Sequence, residues 1–248
     1  MQMPIAETGN LLTARGVSKS YGSYKVLHEV DFHVAPGEAV GIVGPNGAGK
    51  TTLFGALAGS FPASAGDIHF AGQDFAGYSA AERCRAGLAR TYQIPRPFSG
   101  LSVFENVLVA GRAGADLSEA NATVRAAEVL DLTGLAALAN TPAAALGLLD
   151  RKRLEVARAL ATGPSLILLD EIGGGLTEGE IVELVELIRK LLDQGTTVVW
   201  IEHILHALLR VVTRLVCMAE GRVLAEGNPT EVMAHPDVQK AYLGSSPE

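Results

Sequence analysis

Two short stretches of this sequence have residue types and spacings suited to phosphate chemistry. Gly44-Pro45-Asn46-Gly47-Ala48-Gly49-Lys50-Thr51 fits the pattern G-x-x-x-x-G-K-[ST], and Thr52 follows directly. Glycines let successive backbone N–H groups turn inward around phosphate oxygens. Lys50 then reaches the β- and γ-phosphates of a nucleotide, the Thr51 hydroxyl ligates Mg²⁺, and the positive end of the following helix adds attraction. Such letters also arise by chance in a glycine-rich chain. Here, however, the loop follows an apolar strand and opens a helix, as phosphate binding requires. The second stretch, Ser165-Leu-Ile-Leu-Leu-Asp170-Glu171, sets two acids at the carboxyl end of an apolar strand, where ligands sit in open α/β sheets. Asp170 is suited to hold Mg²⁺ through water, and Glu171 to polarise an attacking water as general base. Acids are common at exposed strand ends, so the pair takes its meaning from the phosphate loop.

Two further residues gain weight only from this company. Gln93, in Arg90-Thr-Tyr-Gln93, would alone be an ordinary loop glutamine, but it can supply a polar contact to Mg²⁺ or water. His203 follows Glu202 at the end of another apolar strand, Thr197–Ile201, which makes it a candidate γ-phosphate sensor. A metal site on His203 and His206 lacks a third ligand and is rejected.

The elements that must position these groups can be read coarsely. Leu11 to Val34 is rich in Val, Tyr and Phe and reads as short, mostly antiparallel strands with a turn at Tyr21-Gly22-Ser23. Ala39–Val43 is a strand, and a helix runs from near Lys50 to a stop at Gly59. From about Ala80 to Leu160 alanine is abundant, and helical patterns fall at Ser102–Ala110, Ser118–Asp131 and Asp150–Ala161. This predicts a helical lobe inserted in an α/β chain. Ser165–Leu169 and Thr196–Ile201 read as strands buried on both faces. Thr177 and Glu180 have capping-box spacing ahead of a helix at Ile181–Leu192. A hairpin is expected around Glu220-Gly221, then a helical tail from Pro229 to Leu243. Strand–helix alternation about apolar strands implies a parallel sheet with helices on both faces.

Composition narrows the class. The 248 residues carry 27 acids against 20 Lys and Arg, a formal charge of −7, which argues against a sequence-independent nucleic-acid binder. No segment approaches 18 continuous apolar residues, so no helical span is expected. Met1 to Asn10 lacks a basic region followed by an apolar run, so no secretory signal is expected. Cys84 and Cys217, two thiols far apart, suggest a reduced compartment. The mean hydropathy of +0.25 hints at partner surfaces.

Together the phosphate loop, Gln93, Asp170-Glu171 and His203 stand in the order, and near the spacing, of the ATP-binding cassette family of transport ATPases. The chain resembles that family over essentially its whole length. Tyr21 matches the aromatic residue that stacks on adenine there. Arg151-Lys-Arg-Leu-Glu-Val-Ala-Arg-Ala-Leu160, Glu226-Gly-Asn-Pro-Thr-Glu-Val-Met233 and His235-Pro-Asp-Val-Gln-Lys-Ala-Tyr-Leu-Gly244 look like the ATPase subunits of branched-chain amino acid importers. The resemblance implies an α/β fold of the P-loop NTPase class. Its cassette-type core would have a mixed, largely parallel sheet, an N-terminal antiparallel β lobe and an inserted helical subdomain at about 83–161. Residues 1–248 would then form one nucleotide-binding domain. It implies ATP and Mg²⁺ as cofactors, with Mg²⁺ held by Thr51, Gln93 and Asp170. Tyr21, the loop from Gly44 to Thr52 and Gln93 would bind nucleotide, and Glu171, His203 and Lys50 would act in hydrolysis. The implied partners are transmembrane permease subunits, a second ATPase subunit and, indirectly, a periplasmic or extracellular solute-binding protein. The implied place is the cytoplasmic face of the inner membrane. Other cargoes (urea, amides, lipopolysaccharide) and a non-transport cassette ATPase are the alternatives.

The chain departs from the family pattern at one important place. The family's signature loop reads approximately Leu-Ser-Gly-Gly-Gln, whereas here it is Leu146-Gly-Leu-Leu-Asp150, with Leu148 and Leu149 at the glycine positions. In the family this loop approaches the γ-phosphate held by the opposite subunit, and bulky leucines hinder close backbone approach. One reading is an asymmetric heterodimer with a partner whose signature is intact. The other is that Asp150 and the helix N-terminus suffice. Ile172 also replaces the usual proline after the catalytic glutamate, and Thr177 stands where Asp or Asn is usual.

Overall fold

The computed structural model describes residues 9–243. Met1 to Thr8, most of the stretch read for a secretory signal, and Gly244 of the C-terminal motif lie outside the described residues.

Strands β1 (Leu12–Tyr21) and β2 (Tyr24–Val34) form the expected hairpin, with Tyr21 paired to Tyr24 at its closed end. β3 (Ala39–Val43) leads into α1 (Lys50–Leu57). β4 (Ala65–Phe70) pairs antiparallel with the other edge of β1, and β5 (Gln73–Asp74) with β4. After α2 (Ala80–Arg85) comes β6 (Leu88–Arg90). A helical stretch follows: α3 (Val103–Gly114), α4 (Glu119–Leu132), two single 3-10 turns, and α5 (Leu148–Ala161). The chain continues as β7 (Leu166–Asp170), α6 (Glu178–Asp193), β8 (Thr197–Ile201) and α7 (Leu205–Leu208). It closes with β9 (Arg214–Ala219), β10 (Arg222–Gly227), α8 (Pro229–Ala234) and α9 (Pro236–Leu243).

Two sheets result. One is antiparallel, in the order β2-β1-β4-β5. The other is six-stranded, β10-β9-β3-β8-β7-β6, parallel throughout except at the β9–β10 hairpin. The fold class is therefore α/β with a mixed sheet. β3, β7 and β8 are buried along their entire length, and their side chains alternate between two cores. Leu166, Leu168, Val199 and Ile201 meet α1 and the antiparallel sheet. Ile167, Leu169, Val198 and Trp200 meet the layer of α5 and α6. The helical lobe joins this second core through Val103, Val107, Val129 and Leu135. Burying each such side chain contributes roughly 1.5–3 kcal/mol.

The helix starts follow local chemistry. Ser79 with Glu82, Ser102 with Glu105 and Thr177 with Glu180 each form a capping box; only the last is anticipated above. The tail is helical over the expected span, in two helices separated by an extended His235. Pro236 is the reason, because its ring disfavours helical backbone at the residue before it. β4, β5 and β6 are also absent from the sequence reading. β6 has only three residues, too few for any periodicity to show. It falls within residues 83–161 yet is the edge strand of the six-stranded sheet.

Candidate functional site

The phosphate loop turns sharply out of β3. Gly44 has φ +147°, and a Cβ there would stand 2.1 Å from the Met218 carbonyl oxygen of β9, so no other residue fits. α1 starts at Lys50 behind a left-handed Gly49 with no side-chain cap, which leaves its first N–H groups to a ligand. The Lys50 ammonium folds back over the loop, donating to the carbonyl oxygens of Gly44 at 2.7 Å and Pro45 at 3.0 Å. Burial pulls its pKa below the usual lysine value, while Glu171 and Asp170 oppose that fall. From the other side the β9–β10 turn props the loop. The Gly221 N–H donates to Ala48 O at 3.1 Å, and Gly221 O accepts from His28 N–H at 2.9 Å.

The two acids end β7 as expected but differ in setting. Asp170 is buried, and its Oδ2 accepts from Arg90 Nη2 at 2.7 Å. Its Oδ1 is buried without a hydrogen-bond partner among the described residues. Burial pushes its pKa up, against the pull of Arg90. A buried, unspent carboxylate oxygen suits a hard cation or a water bound to one, and the Thr51 hydroxyl and Gln93 amide add only oxygen donors of the same kind. These residues fit Mg²⁺. Glu171 adopts φ +47°, a left-handed backbone rarely used by a residue with a side chain. Its carboxylate is held at both oxygens. Gln93 Nε2 donates to Oε2 at 2.6 Å, and His203 Nε2 lies 2.8 Å from Oε1.

Around these groups opens a cleft of about 940 Å³. Pro45 to Thr52, Gln93 and Glu171 line it, so residues far apart in the chain converge as expected. His203 is exposed and is not among the lining residues, but its Nε2 contacts Glu171, which is. Gly44 and Asp170 lie beneath the lining. Tyr21 is not part of it. Its ring packs edge-on against Phe61 at 5.9 Å, with the Lys19 ammonium 5.1 Å from its centroid. Its cross-strand partner Tyr24, 72% exposed, lines the cleft instead. His28, Glu220, Gly221 and Ala241 also contribute to the walls. No spacing rule connects them to the phosphate loop; the meeting of the two sheets at His28 and Gly221 and the docking of α9 bring them there. Lys152, missed above, is buried and donates to the carbonyl oxygens of Gln93 and Glu171 at 2.7 and 3.3 Å.

The leucines of the departing loop begin α5. Gly147 is its N-cap and supplies no side-chain hydrogen bond. Leu148 is 45% exposed beside Gly175, and neither Leu148 nor Leu149 lines the cleft.

Comparison with known proteins accords with this geometry. Residues 27–173 match the family model described as ABC transporter, and residues 222–247 match that of the branched-chain amino acid ATP-binding cassette transporter. An uncharacterized ABC transporter ATP-binding protein of Rhizobium meliloti is 37% identical over 238 residues, covering 95% of this chain and 87% of that one. The high-affinity branched-chain amino acid transport ATP-binding protein LivG of Escherichia coli K12 is 34% identical over 251 residues, covering 95% and 98%. The lipopolysaccharide export system ATP-binding protein LptB of Escherichia coli K12 is also 34% identical, over 233 residues, covering 94% and 97%. Among solved structures, an ATP-binding cassette of an ABC transporter in its ADP conformation superposes with a TM-score of 0.86. It is 29% identical, with 96% of this chain and all of that one covered. By these matches the chain belongs to the ATP-binding cassette family and is the ATP-hydrolysing subunit of an ABC transporter.

Proposed function

We propose that this subunit powers the import of branched-chain amino acids or a related small polar solute. The observation that carries this reading is the match of residues 222–247 to the branched-chain amino acid cassette model, a segment beyond the residues 27–173 that match the general ABC transporter model. The likeness to LivG along nearly the whole chain supports it. A second reading, lipopolysaccharide export, is favoured by an equal identity to LptB. The cassette works with transmembrane permease subunits, and among the described residues no helix is long and apolar enough to cross a membrane. Its proposed place is the cytoplasmic face of the inner membrane. A solute-binding protein would act only through the permease, and no nucleic acid is a proposed partner.

Residues 1–248 are proposed to act as one nucleotide-binding domain, with about 83–161 as its helical subdomain. The phosphates would lie in the loop from Gly44 to Thr52, on its backbone N–H groups, of which Pro45 has none, with Lys50 turning from its loop carbonyls to the β- and γ-oxygens. The closed end of the β1–β2 hairpin, where Tyr21 and Tyr24 pair, would receive the adenine. Thr51, Gln93 and Asp170 would hold Mg²⁺, which when bound neutralises developing charge on the phosphates. Glu171 would accept a proton from the attacking water once Gln93 and His203 release its oxygens. His203 would then be free to donate to the γ-phosphate.

Two measurements test this reading. The complex purified from membranes should carry permease subunits and, in vesicles, accumulate a branched-chain amino acid in an ATP-dependent way; transport of lipopolysaccharide alone would select the second reading. In the same complex Glu171→Gln should retain ATP binding and hydrolyse about 10²–10⁴-fold more slowly. Wild-type turnover would remove Glu171 from the role of base.

A further inference from the structure

Three charged side chains of α5 grip the segment that carries Gln93. Lys152 is 3% exposed, and its ammonium donates to the carbonyl oxygens of Gln93 at 2.7 Å and Glu171 at 3.3 Å. Glu155 accepts from the Arg96 N–H at 3.3 Å, and Arg158 donates to the Arg96 carbonyl oxygen at 2.6 Å. Arg158 also pairs with Glu155 at 3.2 Å and lies over the Phe98 ring at 5.0 Å. Spaced three residues apart, the three form one stripe of the helix. Lys152 differs from the other two in reaching both strand-end chemistry and loop. The two carbonyls it joins belong to the residues whose side chains meet in the cleft at 2.6 Å. One of those residues, Glu171, sits in a left-handed conformation, which persists only where surrounding contacts hold it.

We propose that Lys152 is a positioning residue for hydrolysis: its ammonium fixes the backbones of Gln93 and Glu171 relative to each other and ties both to α5. The side chains of Gln93 and Glu171 then address the cleft from set directions. Movement of α5, whose first turn is the exposed loop at Gly147-Leu148, is transmitted to the base through one buried charge. Burial lowers the ammonium's pKa, and Glu202, Glu171, Glu155 and Asp170 oppose that fall. This proposal rests on Gln93 and Glu171 being site residues, so its test carries a separate arm for that reading.

The experiment uses the complex with its permease and partner ATPase, and compares single-turnover ATP hydrolysis with displacement of TNP-ATP. Lys152→Met should slow hydrolysis about 10–100-fold, the cost of a misplaced catalytic group, with nucleotide affinity changed by less than about threefold. Lys152→Arg, which keeps the charge and donors, should recover most of the rate. If Lys152→Met does not assemble into the complex, Lys152→Gln takes the same readouts with the same expected slowing. A wild-type rate in the neutral variant overturns the proposal, as does an equal fall of rate and affinity that Arg does not rescue. Glu171→Gln, measured alongside, separates the two ideas. If it is slow while Lys152→Met is fast, only Lys152 loses its role; if it too is fast, the reading of the site falls.

Discussion

At the residue scale, Glu171 is bonded on both oxygens and the Lys50 ammonium is bonded to its own loop. Gln93 and His203 grip the carboxylate, and Lys50 is spent on loop carbonyls. In the proposed mode, nucleotide binding exchanges these three sets of hydrogen bonds and also fills the open N–H groups at the start of α1. Lys50→Ala removes a charge-assisted donor worth about 1.5–3 kcal/mol, so nucleotide affinity should fall about 10–100-fold, read by TNP-ATP titration. His203→Ala should leave that affinity nearly intact and slow hydrolysis at least about tenfold, since a positioned side chain of this kind contributes about 10²–10⁴-fold. A matched loss of affinity in His203→Ala would mean that His203 binds nucleotide in the ground state. Gly44→Ala forces a Cβ to within 2.1 Å of Met218 O; it should abolish nucleotide binding or folding, seen by titration and circular dichroism.

At the scale of elements, the parallel neighbours β3 and β9 are pinned at their starts by an ion pair. Glu38 Oε1 lies 2.7 Å from Arg214 Nε, and Glu38 Oε2 accepts the Ala35 N–H at 2.9 Å. Burial alone would raise the Glu38 pKa; the Arg214 and Ala35 hydrogen bonds outweigh it and hold it below its ordinary value of about 4.5. Its contribution to stability is thus complete above pH 4.5 and is lost as pH falls through the lower folded-state value. Melting temperatures from pH 7 to pH 3 should show it. Glu38→Gln should be less stable at pH 7 and should lose less on acidification; parallel curves for the two proteins would deny the pair this role. Deeper in the same sheet, Trp200 is fully buried, and Trp200→Ala should cost about 3–5 kcal/mol in denaturant unfolding.

At the scale of the whole molecule, the nucleotide site and the Leu148-Leu149 loop belong to different surfaces. The leucines do not line their own chain's cleft, and Leu148 is exposed at the start of α5. We propose that the exposed side of this loop meets a second ATPase subunit. The asymmetric pairing proposed from the sequence makes the purified chain a poor ATPase by itself, with turnover restored on adding a partner whose loop keeps its glycines. Leu149→Gly should raise turnover of the chain alone by restoring close backbone approach. Full activity of the wild-type chain as a homodimer would sink the asymmetry.

What the sequence by itself determined is the local chemistry. The phosphate loop, the acid pair after an apolar run, the capping box at Thr177 and the buried strands β7 and β8 all express themselves within a dozen residues, because backbone turns, caps and side-chain alternation are short-range physics. The tail broken at Pro236 was within reach of the same rules. The tertiary structure alone decided which distant groups share the cleft. Tyr24 rather than Tyr21 at its wall, the prop from Gly221, the spare oxygen of Asp170 and the grip of Lys152 depend on strand order and helix docking. Those are set by which apolar faces find each other, and they bring together residues separated by tens to hundreds of positions along the chain without leaving any periodic trace in it.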